Sequence, residues 1–283
     1  MNEKDNALWL EKEIKEFAAS SPLNRMPDAP EHSIFEMPLI GYAAGDDPLF
    51  ETYKMVIAPT HLIPREALAL ALHKTPAEVP EKLAVISWIL PIALETRVSN
   101  RAEKLVPSRL WANTRWYGEK FNDALRNFVV QRLNEKGYAA AAPAIQPYFK
   151  TVSNEKGPYS NWSERHAAYA AGLGTFSLSD GFITDKGIAH RCGSVVTDMT
   201  FPLSYRGAKT AFSNCLFYAD GSCKKCISRC PAGAITEQGH DKIKCQEYAY
   251  GKLRYLREEY QVGNPGCGLC QTKVPCEFKN PVK

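Results

Sequence analysis

The spacing of its cysteines constrains this chain more than any other feature. Eight of the nine lie after residue 214. The central run is Cys223-x2-Cys226-x3-Cys230-Pro231, followed by Cys245, then Cys267-x2-Cys270, then Cys276. Thiolates with two residues between them on a short loop can close around one face of an iron–sulfur cubane. A cysteine that precedes proline in such a run serves a second cluster. The spacing therefore predicts two [4Fe-4S] clusters and single-electron chemistry. A disulfide framework fits poorly, because nine is an odd number and the first 190 residues carry no cysteine. Structural zinc would more naturally use paired Cys-x2-Cys knuckles without an interleaved Cys-Pro.

The ligand sets follow from the run. A full two-cluster run would place its first cysteine at position 220, where the chain has Asp220. The nearest thiolate upstream is Cys215. The first cluster is thus expected on Cys215, Cys223, Cys226 and Cys276, and the second on Cys230, Cys245, Cys267 and Cys270. Asp220 as a carboxylate ligand in place of Cys215 stays open, although thiolates suit these clusters better. Cys192 stands apart and reads as a small buried hydrophobe.

Composition narrows the rest. With 283 residues, 45% of them hydrophobic, the chain can build one large domain or two modest ones. A net charge of +4 is too small to imply nucleic acid as a partner. The longest apolar stretch, Leu83 to Leu94, is broken by Pro91 and is too short to span a membrane. Met1 to Phe17 reads as an amphipathic helix with Leu10, Ile14 and Phe17 on one face, not as a secretory leader. A cytoplasmic location is expected. Lys224, Lys225, Arg229, Lys242 and Lys244 crowd the cysteine region. They read either as a solvated surface offsetting cluster charge or as a docking patch for an acidic electron donor.

Along the chain, a proline-rich connector (Ser21 to Pro38) leads to a short strand at Leu39–Ala43 and a Gly45-Asp46-Asp47-Pro48 turn. Pro64 opens a helix. Leu83 to Leu90 reads as a strand buried on both faces. Phe121, Leu125, Phe128, Val129 and Leu133 mark a long helix that stops at Gly137, and Tyr138 to Ala142 reads as a strand. Strand, helix and strand together suggest an α/β layer. Ser163 is placed to cap a short helix that Gly172 ends in a left-handed conformation, with Gly174 allowing close backbone approach. Two strands follow, at Gly181–Thr184 and Gly193–Asp198. A cluster-bearing module is expected over residues 206–283, after an α/β domain over residues 1–205.

The segment Trp162 to Asp198 together with the downstream cysteines resembles the epoxyqueuosine reductases and the related reductive dehalogenases. The matching stretches are Ala171-Gly172-Leu173-Gly174, Ile183-Thr184, Gly193-Ser194-Val195-Val196-Thr197-Asp198 and Cys223 through Cys276. Asn113-Thr-Arg-Trp-Tyr117-Gly118, placed before the long helix, is a further match. The resemblance implies a nitroreductase-like α/β cobalamin-binding domain and a small ferredoxin-like α+β module, with cobalamin between them. It implies that Gly172, Leu173, Gly174, Thr175, Thr184, Gly193, Ser194 and Val195 line the corrin.

The chain departs from the family in two places. Where epoxyqueuosine reductases carry an aspartate as proton donor, counting back from Ala171 lands on Pro158, beside Tyr159. Tyr159 is therefore the candidate donor, with His166 and Arg165 as alternatives. Cys270-x5-Cys276 is followed by Glu277, where the family has a shorter gap and Cys-Pro. The sequence also ends at Lys283 without the helical repeats that longer epoxyqueuosine reductases carry for transfer RNA. A nucleic-acid substrate is accordingly not expected.

The implied activity is a cobalamin-dependent reductase. It would cleave a carbon–heteroatom bond in a small molecule or modified base, with electrons from a ferredoxin- or flavodoxin-type donor. A ferredoxin-type carrier with an added α/β domain, or a protein that only handles cobalamin, are the other readings.

Overall fold

The computed structural model describes residues 2–283, so Met1, the first residue of the expected N-terminal helix, lies outside the described residues. A four-stranded sheet sits at its centre. In spatial order the strands are Leu39–Ala44, Ala84–Pro91, His190–Thr197 and Ala140–Ala141. All three pairings are antiparallel. Every residue of Ala84–Pro91 is buried, as the unbroken apolar run predicts.

Two helical layers explain that burial. Ala84, Ile86, Trp88 and Leu90 face the helices Glu3–Ser20 and Arg109–Glu135, meeting Leu10, Ile14, Phe121, Leu125 and Val129. Val85 faces the other way, toward Pro64–Ala71 and Glu164–Ala170, against Leu68, Ala167 and Ala170. Ile89 meets Ala168 on that same side. Alternation along one strand thus feeds two cores, which is the packing logic of an α/β layer.

Several elements differ from their sequence-based expectation. Asp47 does not simply close a turn. Its carboxylate accepts a hydrogen bond from the Leu49 N–H and caps the helix Pro48–Val56. The long helix begins at Arg109, capped by Ser108, so Asn113 to Gly118 lies inside it and not before it. The Tyr138–Ala142 strand contracts to Ala140–Ala141. The connector contains a small hairpin, Arg25–Met26 with Ala29–Ser33.

Residues 206–283 carry only short elements, among them the helices Lys225–Ser228, Lys242–Gln246 and Leu256–Tyr260. They dock on the hairpin Gly174–Phe176/Phe182–Thr184 and on the helix Leu94–Ala102. A small core joins the two parts, with Leu178, Ile183 and Ile188 against Cys215, Ile235 and Val274.

Candidate metal centre

All nine cysteines are free thiols. Cys215, Cys223, Cys226 and Cys276 line one apolar cavity together with Ile183 and Val274. Burial pushes the Cys226 thiol up to about 11, and the charges of Cys215 and Cys223 add to it. Cys276 rises to about 12 through burial and then through Cys215, Cys226 and Cys223. The other four cysteines form a second neighbourhood. Cys267 rises to about 11 through burial and the nearby Cys245 and Cys230. Burial raises Cys270 too, followed by Cys267, Cys245, Cys230 and, across the gap between the sets, Cys226. Thiols raised in this way, Cys226 and Cys276 in one set and Cys267 and Cys270 in the other, resist ionisation until bound cations compensate them, so metal uptake there would release protons. The donor chemistry fits two adjacent iron–sulfur cubanes.

Asp220 stays outside this arrangement. Its carboxylate accepts from the Ser222 N–H at 2.9 Å in an exposed turn. Cys215, 7% exposed, is the residue brought to the other three cysteines.

The surroundings add groups that the sequence did not reveal. The Ala234 N–H donates to Cys230 Sγ at 3.3 Å. His240 pairs with Asp180 at 3.2 Å. Burial opposes its charging, yet hydrogen bonds to Asp180 and Cys245 carry it up to about 9. Of the five basic residues in the cysteine region, Lys224 pairs with Glu237 and Lys244 with Asp241 at the surface. Arg229 does not belong to a surface patch, because its guanidinium is spent on backbone carbonyls of the docked segments.

The residues expected to line a corrin are all accounted for by protein contacts. Gly172 has φ +71 and ends its helix as predicted, but a Cβ there would lie 2.8 Å from the Tyr205 carbonyl oxygen. At Gly174 the Ile183 carbonyl occupies that space, and Leu173 packs against Gly41. Thr175 Oγ1 accepts from the Asn214 N–H at 2.8 Å. Thr184 Oγ1 donates to the Gly187 carbonyl at 3.0 Å. Gly193 lies under the Trp88 indole, and Val195 is in the core. Ser194 Oγ accepts from Trp162 Nε1 and donates to Glu164 Oε2. Together these residues seat the cysteine-rich segment and pack the sheet. Gly172, Leu173 and Gly174 stay partly exposed, while Thr175, Thr184, Gly193, Ser194 and Val195 are buried.

Tyr159 is half-buried in the hairpin Thr151–Asn154/Gly157–Ser160. That hairpin packs on the helix Lys242–Gln246, with Gly157 against Lys242. A polar seam runs between the helices Arg109–Glu135 and Glu164–Ala170. Arg126 pairs with Glu119 at 3.0 Å, Asp123 at 2.6 Å and Glu164 at 3.0 Å. Burial raises Glu164 against the pull of Arg126. Burial works the same way on Glu119, but Arg191 and Arg126 prevail and hold it down at about 2.

Cys192 borders this seam, partly buried and not sealed in a core. Its Sγ lies 3.5 Å from His190 Nδ1. His190 is held neutral by burial, which lowers it to about 4, and its Nε2–H donates to the Phe182 carbonyl. Nδ1 is then left to accept from the Cys192 thiol, itself raised to about 12 by burial and the Glu164 charge. Burial and the Glu164 charge keep the proton on the Cys192 thiol.

No protein-family profile matches the chain. Proteins named epoxyqueuosine reductase from Bacillus cereus and Bacillus anthracis are each 33% identical to it over 119 residues. The match covers 40% of this chain and 29% of those proteins, so the chain aligns with less than a third of their length. The fold is similar to that of a selenomethionine-labelled epoxyqueuosine reductase, with TM-score 0.53 and 17% identity, over 96% of this chain and 66% of that one. It is similar also to a reductive dehalogenase described as B12-dependent, with TM-score 0.52 and 15% identity, over 86% of this chain and 30% of that one. The resemblance read from the sequence is borne out, and the mixed α/β fold is shared with both groups. No helix among the described residues is long and apolar enough to cross a membrane.

Proposed function

We propose that this chain is an iron–sulfur oxidoreductase, a reductase in which two [4Fe-4S] clusters feed electrons to a site on the α/β layer. The observation that carries the reading is the sorting of eight cysteines into two adjacent sets of four, docked on a fold shared with reductases. Bound clusters would supply low-potential single electrons. The protein's own contribution is to bury the thiols, donate an N–H to Cys230 and fix the cysteine loops against the sheet. In this reading residues 1–205 form a nitroreductase-like domain and residues 206–283 a ferredoxin-like module.

A cobalamin link is supported by the B12-dependent dehalogenase of similar fold and by the epoxyqueuosine reductase relatives. The partly exposed Gly172, Leu173 and Gly174 are the residues of the glycine set that a bound corrin would meet. The substrate class is a small molecule or modified base with a reducible carbon–heteroatom bond. The electron source is a low-potential carrier of ferredoxin or flavodoxin type. Tyr159 is the candidate proton donor, with a phenol O–H to give.

The test is anaerobic reconstitution followed by iron and sulfide analysis, electron paramagnetic resonance and a cobalamin titration. About eight iron atoms per chain are expected, four per cubane. Binding of cobalamin and turnover of a halogenated or epoxide substrate complete the reading. Replacing Tyr159 by Phe should then slow turnover by about 100-fold while leaving iron unchanged. Full iron loading with no cobalamin uptake favours the second reading, a ferredoxin-type carrier with an added α/β domain. The protein-filled surroundings of Gly172, Gly174 and Gly193 are the observation on that side.

A further inference from the structure

Two arginines tie the cysteine loops to the rest of the protein, and they differ in charge balance. Arg101, on the helix Leu94–Ala102, donates from Nε to both Glu277 carboxylate oxygens at 2.9 Å and from a terminal nitrogen to one of them at 2.7 Å. Glu277 is 2% exposed and adjoins Cys276. That pair is electrically neutral.

Arg229 is not neutralised. It lies in sequence between Cys226 of the first set and Cys230 of the second. Its Nε donates to the Leu269 and Thr272 carbonyls, at 3.2 and 3.0 Å, on either side of Cys270. Its terminal nitrogens reach the Glu103 carbonyl at 2.6 Å, the Asn100 carbonyl at 3.2 Å and Thr272 Oγ1 at 3.2 Å. All five acceptors are neutral oxygens. Among the described residues no carboxylate forms an ion pair with it. Asn100 and Thr272, both fully buried, hold the fork in place through their own hydrogen bond at 3.1 Å.

We propose that Arg229 is the built-in counter-cation of the two clusters, a positioning and potential-setting residue that keeps both cysteine sets registered on the helix Leu94–Ala102. This rests on the two-cluster reading above. A guanidinium stays protonated at any working pH, so the charge is permanent. A partly desolvated cation beside a cluster favours the more negative, reduced state and therefore raises the reduction potential. The surrounding carbonyls orient the cation without cancelling it. Its bonds to the Leu269 and Thr272 carbonyls bracket Cys270 and so set the cation beside the second set. Arg101 has a different task, because its charge is consumed by Glu277.

The experiment is a potentiometric titration of the reconstituted full chain, read by electron paramagnetic resonance. Three variants are compared with the wild type: Arg229→Gln, Arg229→Lys and Asn100→Asp. Arg229→Gln removes the charge. It should lower the reduction equilibrium constant of at least one cluster about tenfold, a downward shift of about 59 mV for one electron. Arg229→Lys keeps the charge and loses the fork, so its potentials should stay near wild type while its melting temperature falls. Asn100→Asp places a carboxylate beside the intact guanidinium. It should reproduce the downward shift even if Arg229→Gln fails to load iron. Potentials that are unchanged in iron-loaded Asn100→Asp overturn the proposal, as does Arg229→Lys shifting as far as Arg229→Gln. A wild-type chain that takes up no iron overturns the underlying cluster reading instead.

Discussion

Trp88 and Gly193 face each other across adjacent antiparallel strands, and the indole occupies the space a side chain at 193 would need. A Cβ at Gly193 would come within 2.4 Å of the Trp88 ring. The ring cannot swing away, because its Nε1–H donates to Asn122 Oδ1 at 2.9 Å on the long helix. Gly193 is thus required by close packing at the sheet centre. Gly193→Ala should cost about 1–3 kcal/mol through overpacking. Urea unfolding measures this, and iron content should be unchanged. A variant as stable as wild type would show that the indole relocates freely.

Cys215 and Asp220 should respond very differently to removal. Cys215→Ala takes away one wall of the apolar cavity that it shares with Cys223, Cys226 and Cys276. It should lose about half of the bound iron, one cubane of two. Asp220→Ala removes only the bond to the Ser222 N–H in an exposed turn, so iron should stay at the wild-type level. Iron analysis with electron paramagnetic resonance decides between them. The reverse pattern would return the ligand role to the carboxylate.

Removing Arg101 strands a buried carboxylate. Glu277 then keeps only the Lys273 N–H at 2.7 Å. Arg101 is about one-third exposed, so the loss is discounted from the value for a fully buried pair. Arg101→Ala should destabilise by about 2 kcal/mol. The double variant Arg101→Ala/Glu277→Gln should recover part of that loss, since no uncompensated charge remains. Denaturant midpoints for the four members of the cycle test it, and strict additivity would mean that the two side chains are uncoupled.

Acid should weaken the fold before the carboxylates titrate. Burial lowers His61 to about 4, His166 to about 3 and His190 to about 4. Each is depressed below its unfolded value near 6.5, so the unfolded chain binds more protons in this range. The contribution of these three is then full above about pH 6.5 and falls as pH drops toward 4, whereas the raised His240 works the opposite way, its contribution complete below about pH 6.5 and lost as pH rises through about 9. Glu119, held down at about 2, adds a further loss only below its unfolded value of 4.5. Urea midpoints followed by tryptophan fluorescence between pH 7.5 and pH 5, with cluster absorbance monitored alongside, would expose the trend. A flat series would contradict it.

The sequence made local features legible wherever one residue type sufficed to set the backbone. The eight buried residues of Ala84–Pro91, the proline at the start of the Pro64 helix and the left-handed Gly172 all carry their cause in their own composition. The Asp47 cap was read as a turn because Gly-Asp-Asp-Pro serves either purpose, and only the downstream packing of Phe50 and Tyr53 chooses the helix. The sheet's antiparallel order depends on pairing Val195 with Ile86, more than a hundred residues apart, which no local period encodes. The same distance hid the seam. Arg126, Glu119 and Glu164 each look like solvated helix charges until the fold brings them together. Gly174 reads from the sequence as a point of close approach, and a Cβ there would meet the Ile183 carbonyl; at Gly172 and Gly193 the Tyr205 carbonyl and the Trp88 ring come as near, from positions that no local pattern indicates.

The helix Leu94–Ala102 receives Arg229 and Glu277 at its end, and both of those residues belong to the cysteine-rich segment. A ribosome makes this helix well before it makes the first of the eight clustered cysteines. The receiving carbonyls of Asn100 and Glu103 are thus made more than a hundred residues before the guanidinium that they hold. The cysteine-rich segment, with only a small core of its own, is anchored on an element that precedes it in synthesis.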